Sequence, residues 1–205
     1  MEELVLYGDR RLVSPWVLSV WISLREKGLI FGFERFDLAR RENRGGAYEA
    51  KTLTGKVPGL RHGETWLAES LAILLYLEDA FPTHERMLPS SPRDRARDLQ
   101  ALSFLRSDLG ELRRSLPFEG VVGSEKGPGM SEGALADLDR LLRVVATRAP
   151  LAGRAPTLAD YELAVTLRRP IHHGVDIPEA ARRYSDELWE RPSVQSWVRH
   201  PERGA

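Results

Sequence analysis

Three prolines fall within eleven residues between Pro82 and Pro92, with Ser90-Ser91 among them. Proline fixes φ and has no N–H, so such a segment interrupts helix and sheet alike and divides the chain into two stretches. The two stretches differ in period. Before the prolines, short apolar runs alternate with helical patterns; beyond them, the pattern is helical throughout. The expected fold class is α/β + all-α: a domain over 1–81, a linker over 82–92 and an all-helical domain over 93–205. With 42% hydrophobic and 29% charged residues in 205, the chain has enough apolar surface to bury a core.

In the first part, Leu4 to Tyr7 is a short apolar run ending at Gly8, suited to a buried strand. Ser14-Pro15 then reads as an N-cap followed by proline at the first helical position. Val17, Val20, Trp21 and Leu24 come next at helical spacing, Leu18 and Ile22 widen the apolar face, and Gly28 gives the stop. Phe31 to Leu38 places Phe31 and Phe33 on one parity and Phe36 and Leu38 on the other, so this strand is either bulged or covered on both faces. The spacing suggests a parallel βαβ unit. Arg40 to Lys51 is polar and is expected as an irregular helix. Val57–Leu60 and Thr65–Ala68 flank the turn signal His62-Gly63-Glu64 and predict a hairpin. Glu69 to Phe81 is apolar nearly all round and predicts a buried helix. The order is βαβ-α-ββα.

Beyond the linker, Leu99, Leu102, Leu105, Leu109 and Leu112 form one helical stripe, and Leu135, Leu138, Leu142 and Val145 another. Gly120 to Gly129 between them holds four glycines and a proline and is expected as a mobile loop. Thr157 opens another helix with Leu158, Tyr161, Ala164 and Val165 on one face. Short helices near Glu179–Glu190 and Ser193–His200 are bounded by Pro178, Pro192 and Pro201.

Thirty basic residues balance thirty acidic ones, and the halves are equally even, with 11 basic against 12 acidic residues up to residue 80. No net field draws the chain to nucleic acid or to an anionic membrane. There is no cysteine, so neither a disulfide nor an enzyme thiol nucleophile exists; any reacting sulfur arrives with a ligand. The acidic N-terminus does not read as a secretory signal, and no apolar run nears the roughly 18 residues of a spanning helix. A soluble, cytoplasmic protein is expected.

Three local features carry chemistry. Ser14 caps a helix; its hydroxyl, with the partial positive charge of the helix N-terminus, can serve an anion, although a serine cap is also an ordinary structural device. Val57-Pro58 stands before a strand. If that peptide is cis, the Val57 backbone turns outward to pair with a peptide-like ligand; a strand-start proline is the plainer reading. Glu69-Ser70 opens a buried helix, where hydroxyl and N–H groups suit a carboxylate and the glutamate suits an ammonium group.

Ser14-Pro15, Gly55-Lys56-Val57-Pro58, Glu69-Ser70 and Thr157-X-X-Asp160, in this order, resemble the cytosolic glutathione transferases. The resemblance spans essentially the whole chain: a thioredoxin-like N-terminal domain, a proline-bearing linker and an all-helical C-terminal domain. Ser14-Pro-Trp-Val-Leu-Ser and Phe104-Leu-Arg-Ser-Asp-Leu109 look most like the bacterial YfcF-like branch. The resemblance implies that Ser14 donates to the glutathione sulfur, that Val57 before cis Pro58 pairs with the cysteinyl backbone, and that Glu69 and Ser70 hold the γ-glutamyl end. It puts Lys56 near the glutathione backbone and carboxylates, and makes Thr157 and Asp160 a helix capping box that serves folding. Glutathione is then a co-substrate with no further cofactor, its counterpart a small electrophile or hydroperoxide, and the assembly a homodimer. A non-catalytic binding or structural protein of the same fold is the alternative.

Further residues are weighed beside these. Tyr7 lies near where tyrosine-type relatives place their hydroxyl, but Ser14 is the better-placed donor because it caps the helix. Arg106 and Asp108 lie on an amphipathic helix whose charges read either as a solvated face or as cleft-lining groups, with Asp108 reaching the γ-glutamyl amine. His172-His173 has no carboxylate at ligand spacing and is not expected to hold a metal. The five tryptophans read as core.

Overall fold

A computed structural model of the chain describes residues 2–123, 125, 127–148, 151 and 154–203. It resolves into two compact units: residues 1–86 together with 192–205, and residues 87–191.

The first unit is built on a four-stranded mixed sheet, β1 (Leu4–Asp9), β2 (Gly32–Phe36), β3 (Gly59–His62) and β4 (Thr65–Ala68), in spatial order β2-β1-β3-β4. β1 and β2 run parallel, joined through α1 (Pro15–Glu26), while β3 and β4 form an antiparallel hairpin. Gly63 turns that hairpin at φ +55°, a conformation only glycine adopts without strain. The parity switch in β2 is that of a strand covered on both faces. Phe33 packs edge-on to Trp21 of α1, while Phe36 packs on Tyr48 and Tyr7 across the sheet. α1 and α3 (Ser70–Ala80) pack together, burying Leu18, Ile22, Ile73, Leu74 and Leu77 completely. Of the helix expected over 40–51 only α2 (Ala47–Lys51) forms. Its N-cap Gly46 has no side chain to satisfy the first turn, and Asp37 and Glu42 instead cap the turns before it.

A fully buried ion pair closes this unit. Lys27, the C-cap of α1, places Nζ 2.6 Å from Glu78 of α3 and donates to the Glu85 carbonyl at 2.8 Å. His84 Nδ1 in turn lies 2.8 Å from the Lys27 carbonyl.

The segment after residue 191, expected with the helical domain, packs with the first unit. There α10 (Pro192–Val198) buries Trp197 against Trp21 and Phe33. The Trp21 indole N–H donates to Ser196 at 2.9 Å. The physical reason is area: Trp21 of α1 and Phe33 of β2 present an apolar surface that Trp197 of α10 covers.

The second unit is helical: α4 (Pro92–Ser107), α5 (Gly110–Ser115), α6 (Phe118–Val122), α7 (Glu132–Ala146), α8 (Leu158–His172) and α9 (Glu179–Trp189). The expected continuous stripe from Leu99 to Leu112 is broken at Asp108–Leu109. Leu109 has no side chain able to cap α5, and the buried Asp137 carboxylate of α7 accepts from the Glu111 and Leu112 N–H groups instead, at 3.0 and 3.1 Å. The α7 stripe is rotated from the expected one. Ala134, Leu138, Leu141 and Val145 are buried, whereas Leu135 is 54% exposed. α6 occupies the start of the segment expected as a loop over 120–129; Ser124 and Lys126 of that segment lie outside the described residues. α8 is buried nearly all round, not on one face. Among the described residues no helix is long and apolar enough to cross a membrane.

Lys27→Met should lower the unfolding free energy by about 3–5 kcal/mol, because it leaves the Glu78 carboxylate buried without its cation. Replacing Glu78 by leucine as well should recover most of the loss. Denaturant midpoints of the wild type, single and double variants measure both effects.

Candidate functional site

The sheet register gathers the sequence candidates of the first unit. Tyr7 pairs with Gly59, and Gly59 with Ala68, so the C-terminal end of β1, the start of β3 and the C-terminal end of β4 meet at one end of the sheet. Ser14 follows β1, Lys56-Val57-Pro58 precede β3, and Glu69-Ser70 follow β4. Three segments distant in sequence are brought together by the antiparallel ladder alone.

Ser14 is half-buried and caps α1. Its Oγ accepts from the Val17 N–H at 3.4 Å, which leaves the hydroxyl proton free to donate outward. The loop that delivers it is held by Asp9, a buried residue at the end of β1, whose carboxylate accepts from the Val13 and Ser14 N–H groups at 2.7 and 3.1 Å.

The Val57–Pro58 peptide is cis, as expected for a ligand-pairing turn, and β3 begins just after it, at Gly59. Among the described residues, none hydrogen-bonds the Val57 N–H or carbonyl. The segment before it is fastened from three sides. Asn43 Nδ2 donates to the Gly55 carbonyl at 2.7 Å, Arg44 to the Thr54 carbonyl at 2.8 Å, and the Tyr48 hydroxyl to the Lys56 carbonyl at 2.6 Å. Burial, reinforced by the neighbouring Tyr7, raises the Tyr48 pKa well above its ordinary value, so this phenol stays a protonated donor. Gly59 makes the close approach possible, since a Cβ there would lie 2.5 Å from the Tyr48 hydroxyl oxygen. Lys56 itself is exposed.

Sequence reasoning did not find Tyr48, Asn43, Arg44 or Asp9. The first three lie in the polar stretch without periodicity, and Asp9 looks like any acidic residue after a strand.

Glu69 adopts φ +67°, ψ 110°, a left-handed-side conformation that costs a non-glycine residue about 1–3 kcal/mol. It is exposed, and its carbonyl accepts the Ile73 N–H at 3.0 Å. Ser70, buried, is the first residue of α3. The end of the sheet therefore offers two helix N-termini, a free hydroxyl proton, one open backbone pair and one exposed carboxylate. That set suits a peptide-like ligand carrying an anionic sulfur or carboxylate and an ammonium group.

The remaining candidates stand elsewhere. Tyr7 does not end its strand; β1 continues to Asp9, and the Tyr7 ring is buried among Phe36, Tyr48 and Trp66, 5.2 Å from each of the last two. In the second unit, Arg106 makes a bidentate pair with Glu162 at 2.6 and 2.7 Å, tying α4 to α8, and Asp108 is the exposed C-cap of α4. The His172 and His173 rings stack edge to face at 5.4 Å.

Thr157 and Asp160 start α8. The fully buried Asp160 carboxylate accepts from the Thr157 N–H at 2.8 Å, from Arg148 Nε at 2.9 Å, from Arg154 Nη2 at 2.9 Å and from the Tyr184 hydroxyl at 2.7 Å. Burial by itself would raise its pKa; the hydrogen bonds from Arg154 and Arg148 outweigh burial and hold the carboxyl well below the usual range. Arg148 also reaches Asp98 at 2.8 Å.

Residues 13–80 match the family described as glutathione S-transferase, N-terminal domain, and residues 91–201 that described as glutathione S-transferase, C-terminal domain. The chain belongs to the glutathione S-transferase family. It is 27% identical to glutathione S-transferase theta-3 of Mus musculus, over 95% of this chain and 80% of the relative. It is 28% identical to human glutathione S-transferase theta-1, over the same shares. Among solved structures, a glutathione transferase homologue from Burkholderia with bound glutathione superposes with a TM-score of 0.80 at 28% identity, covering both chains fully. A theta class glutathione S-transferase from Xanthomonas axonopodis pv. citri, with glutathione bound, gives 0.75 at 25% identity over 97% of this chain and 98% of that one. The transferase fold is thus common to this chain and enzymes whose names state the activity.

Asp160→Asn should destabilise the protein at pH 7 by about 3–5 kcal/mol, since Arg148 and Arg154 lose their shared carboxylate. The sign with pH comes from the lowered folded-state pKa. The stabilisation is full above the unfolded value of 3.8 and is lost as pH falls below it toward the folded value. Wild type and variant should therefore converge in stability under acid, which unfolding curves between pH 7 and pH 2 measure.

Proposed function

We propose that this chain is a glutathione transferase in which Ser14 stabilises the glutathione thiolate for attack on a small electrophile or for reduction of a hydroperoxide. The observation that carries the reading is the meeting of Ser14, Val57 and Glu69-Ser70 at one end of the sheet in a member of this family. On this reading the γ-glutamyl group lies against Glu69 and Ser70. Its ammonium pairs with the exposed carboxylate, and its carboxylate takes the Ser70 hydroxyl and the N–H groups that open α3. The cysteinyl backbone pairs with the open N–H and C=O of Val57. The sulfur then falls at the N-terminus of α1, and Lys56 lies on the glycyl side.

The chemistry is one of proton equilibrium. A free thiol with pKa about 8.5 is only about 3% ionised at pH 7. A hydroxyl donor and a helix N-terminus that lower it by about two units make about three-quarters of it thiolate. Ser14 suits this role because Val17 N–H occupies its oxygen and leaves its proton available. The chain has no cysteine, so the sulfur that reacts is the ligand's own and no mixed disulfide with the enzyme forms. Placement within the YfcF-like branch rests on Ser14–Ser19 and Phe104–Leu109, and a cytoplasmic homodimer on the family resemblance.

Ser14→Ala should keep the fold, raise the pKa of bound glutathione and slow conjugation of a generic aryl halide by about 10- to 1000-fold, as loss of a transition-state donor does. Thiolate absorbance titrated in both forms is the direct check; an unchanged pKa and rate would remove Ser14 from the mechanism. Glu69→Ala and Ser70→Ala should instead weaken glutathione binding and leave turnover at saturation nearly intact, because they touch the end of the ligand remote from sulfur. Loss of turnover at saturating glutathione with unchanged affinity would contradict that assignment.

A further inference from the structure

We propose that Arg203 is a positioning residue for Ser14, holding from the C-terminal arm the peptide that delivers the serine to the helix N-terminus. The inference rests on the proposed role of Ser14.

Its ground is the geometry of one peptide group. The loop between β1 and α1 passes through Leu12, whose φ of +57° places a non-glycine residue in a conformation that must be held by its surroundings. The peptide joining Leu12 to Val13 is fastened at both ends. Its N–H donates to the Asp9 carboxylate at 2.7 Å, and its carbonyl accepts from Arg203 Nη1 at 3.0 Å. The next N–H along the chain is that of Ser14, also on Asp9. Rotation of the Leu12–Val13 peptide would break the Arg203 bond and the Val13–Asp9 bond together and carry Ser14 with it.

Arg203 is suited to this by its other partners. Nε donates to the Val198 carbonyl at 2.9 Å and Nη2 to the Trp197 carbonyl at 2.8 Å, so the planar guanidinium joins two carbonyls at the end of α10 to the loop. The arm that bears it is fixed independently. Ser196 receives the Trp21 indole, and Arg35 of β2 meets Glu202 at 2.6 Å. Lysine cannot reproduce a three-carbonyl fork, because its single ammonium lacks the fixed spread of the guanidinium donors.

The test compares Arg203→Ala, Arg203→Lys, Ser14→Ala, the Arg203→Ala/Ser14→Ala double variant and Ser196→Ala. Each is read by the thiol pKa of bound glutathione, by kcat and KM for glutathione, and by melting temperature. Arg203→Ala should raise the thiol pKa by about one unit and lower kcat about tenfold, with KM for glutathione changed less than about threefold. Arg203→Lys should fall between it and the wild type, and it carries the test if the alanine variant does not fold. In the Ser14→Ala background the Arg203 substitution should add no further rise, because both act through one hydroxyl. Ser196→Ala, which loosens α10 without touching Leu12, should lower the melting temperature and leave the thiol pKa unchanged. An Arg203 variant that is folded and has the native thiol pKa overturns the proposal while leaving Ser14 in place. So does an equal further rise in the Ser14→Ala background. If Ser14→Ala itself leaves the thiol pKa unchanged, the Ser14 reading fails and Arg203 has nothing to position.

Discussion

The antiparallel ladder that pairs β1 with β3 and β3 with β4 is the constraint on which the candidate site depends. Through Tyr7–Gly59–Ala68 it sets the ends of three strands side by side. A one-residue slip would turn every side chain of the shifted strand to the other face and carry Val57 and Glu69 out of register with Ser14. The register is fixed by what each face buries. Leu4 and Leu6 alternate with Val5 and Tyr7, and all four are buried, the odd positions against the aromatic group of Phe36, Tyr48 and Trp66. The aromatic cluster thus sets which segments meet at the candidate site. Tyr48 links the two directly, since its ring packs in the cluster and its hydroxyl holds the Lys56 carbonyl next to Val57.

Several charged groups of the first unit fasten a chain reversal or a helix end. Asp9 holds the loop before α1, Lys27 and Glu78 close the far end of that helix, and Arg203 caps α10. Each satisfies backbone groups or a partner charge that would otherwise be lost to water, which is the condition for keeping charge in a low-dielectric interior. The C-terminal arm obeys the same logic with apolar surface. Trp197 and Trp21 bury one another, so α10 belongs with the sheet domain although it comes after the helical unit in the chain.

The second unit caps helices with aspartates, one local and one remote. Asp160 begins α8 through its own Thr157 and gathers Arg148, Arg154 and Tyr184. Asp137, from the middle of α7, caps a different helix, α5. A side chain that caps a helix elsewhere in the chain cannot be recognised from local spacing, and this is why an unbroken leucine stripe became two helices.

The sequence by itself determined the order βαβ-α-ββα of the first unit and the helical character of the second. Pro82–Pro92 divided the periodicities, Ser14-Pro15 and Thr157-X-X-Asp160 marked helix starts, and Gly63 marked the hairpin, because caps, turns and prolines act within a few residues. It also named Ser14, Val57, Glu69 and Ser70, each at an element boundary where residue type is locally constrained. Only the tertiary structure decided that these boundaries share one end of a sheet, that α10 returns to the first unit, and that Asp9, Asn43, Arg44, Tyr48 and Arg203 hold the segments between. Those residues act through hydrogen bonds to backbone carbonyls or N–H groups, Arg203 across most of the chain. A backbone acceptor leaves no mark on residue type, so the partners of such bonds are invisible until the chain is folded.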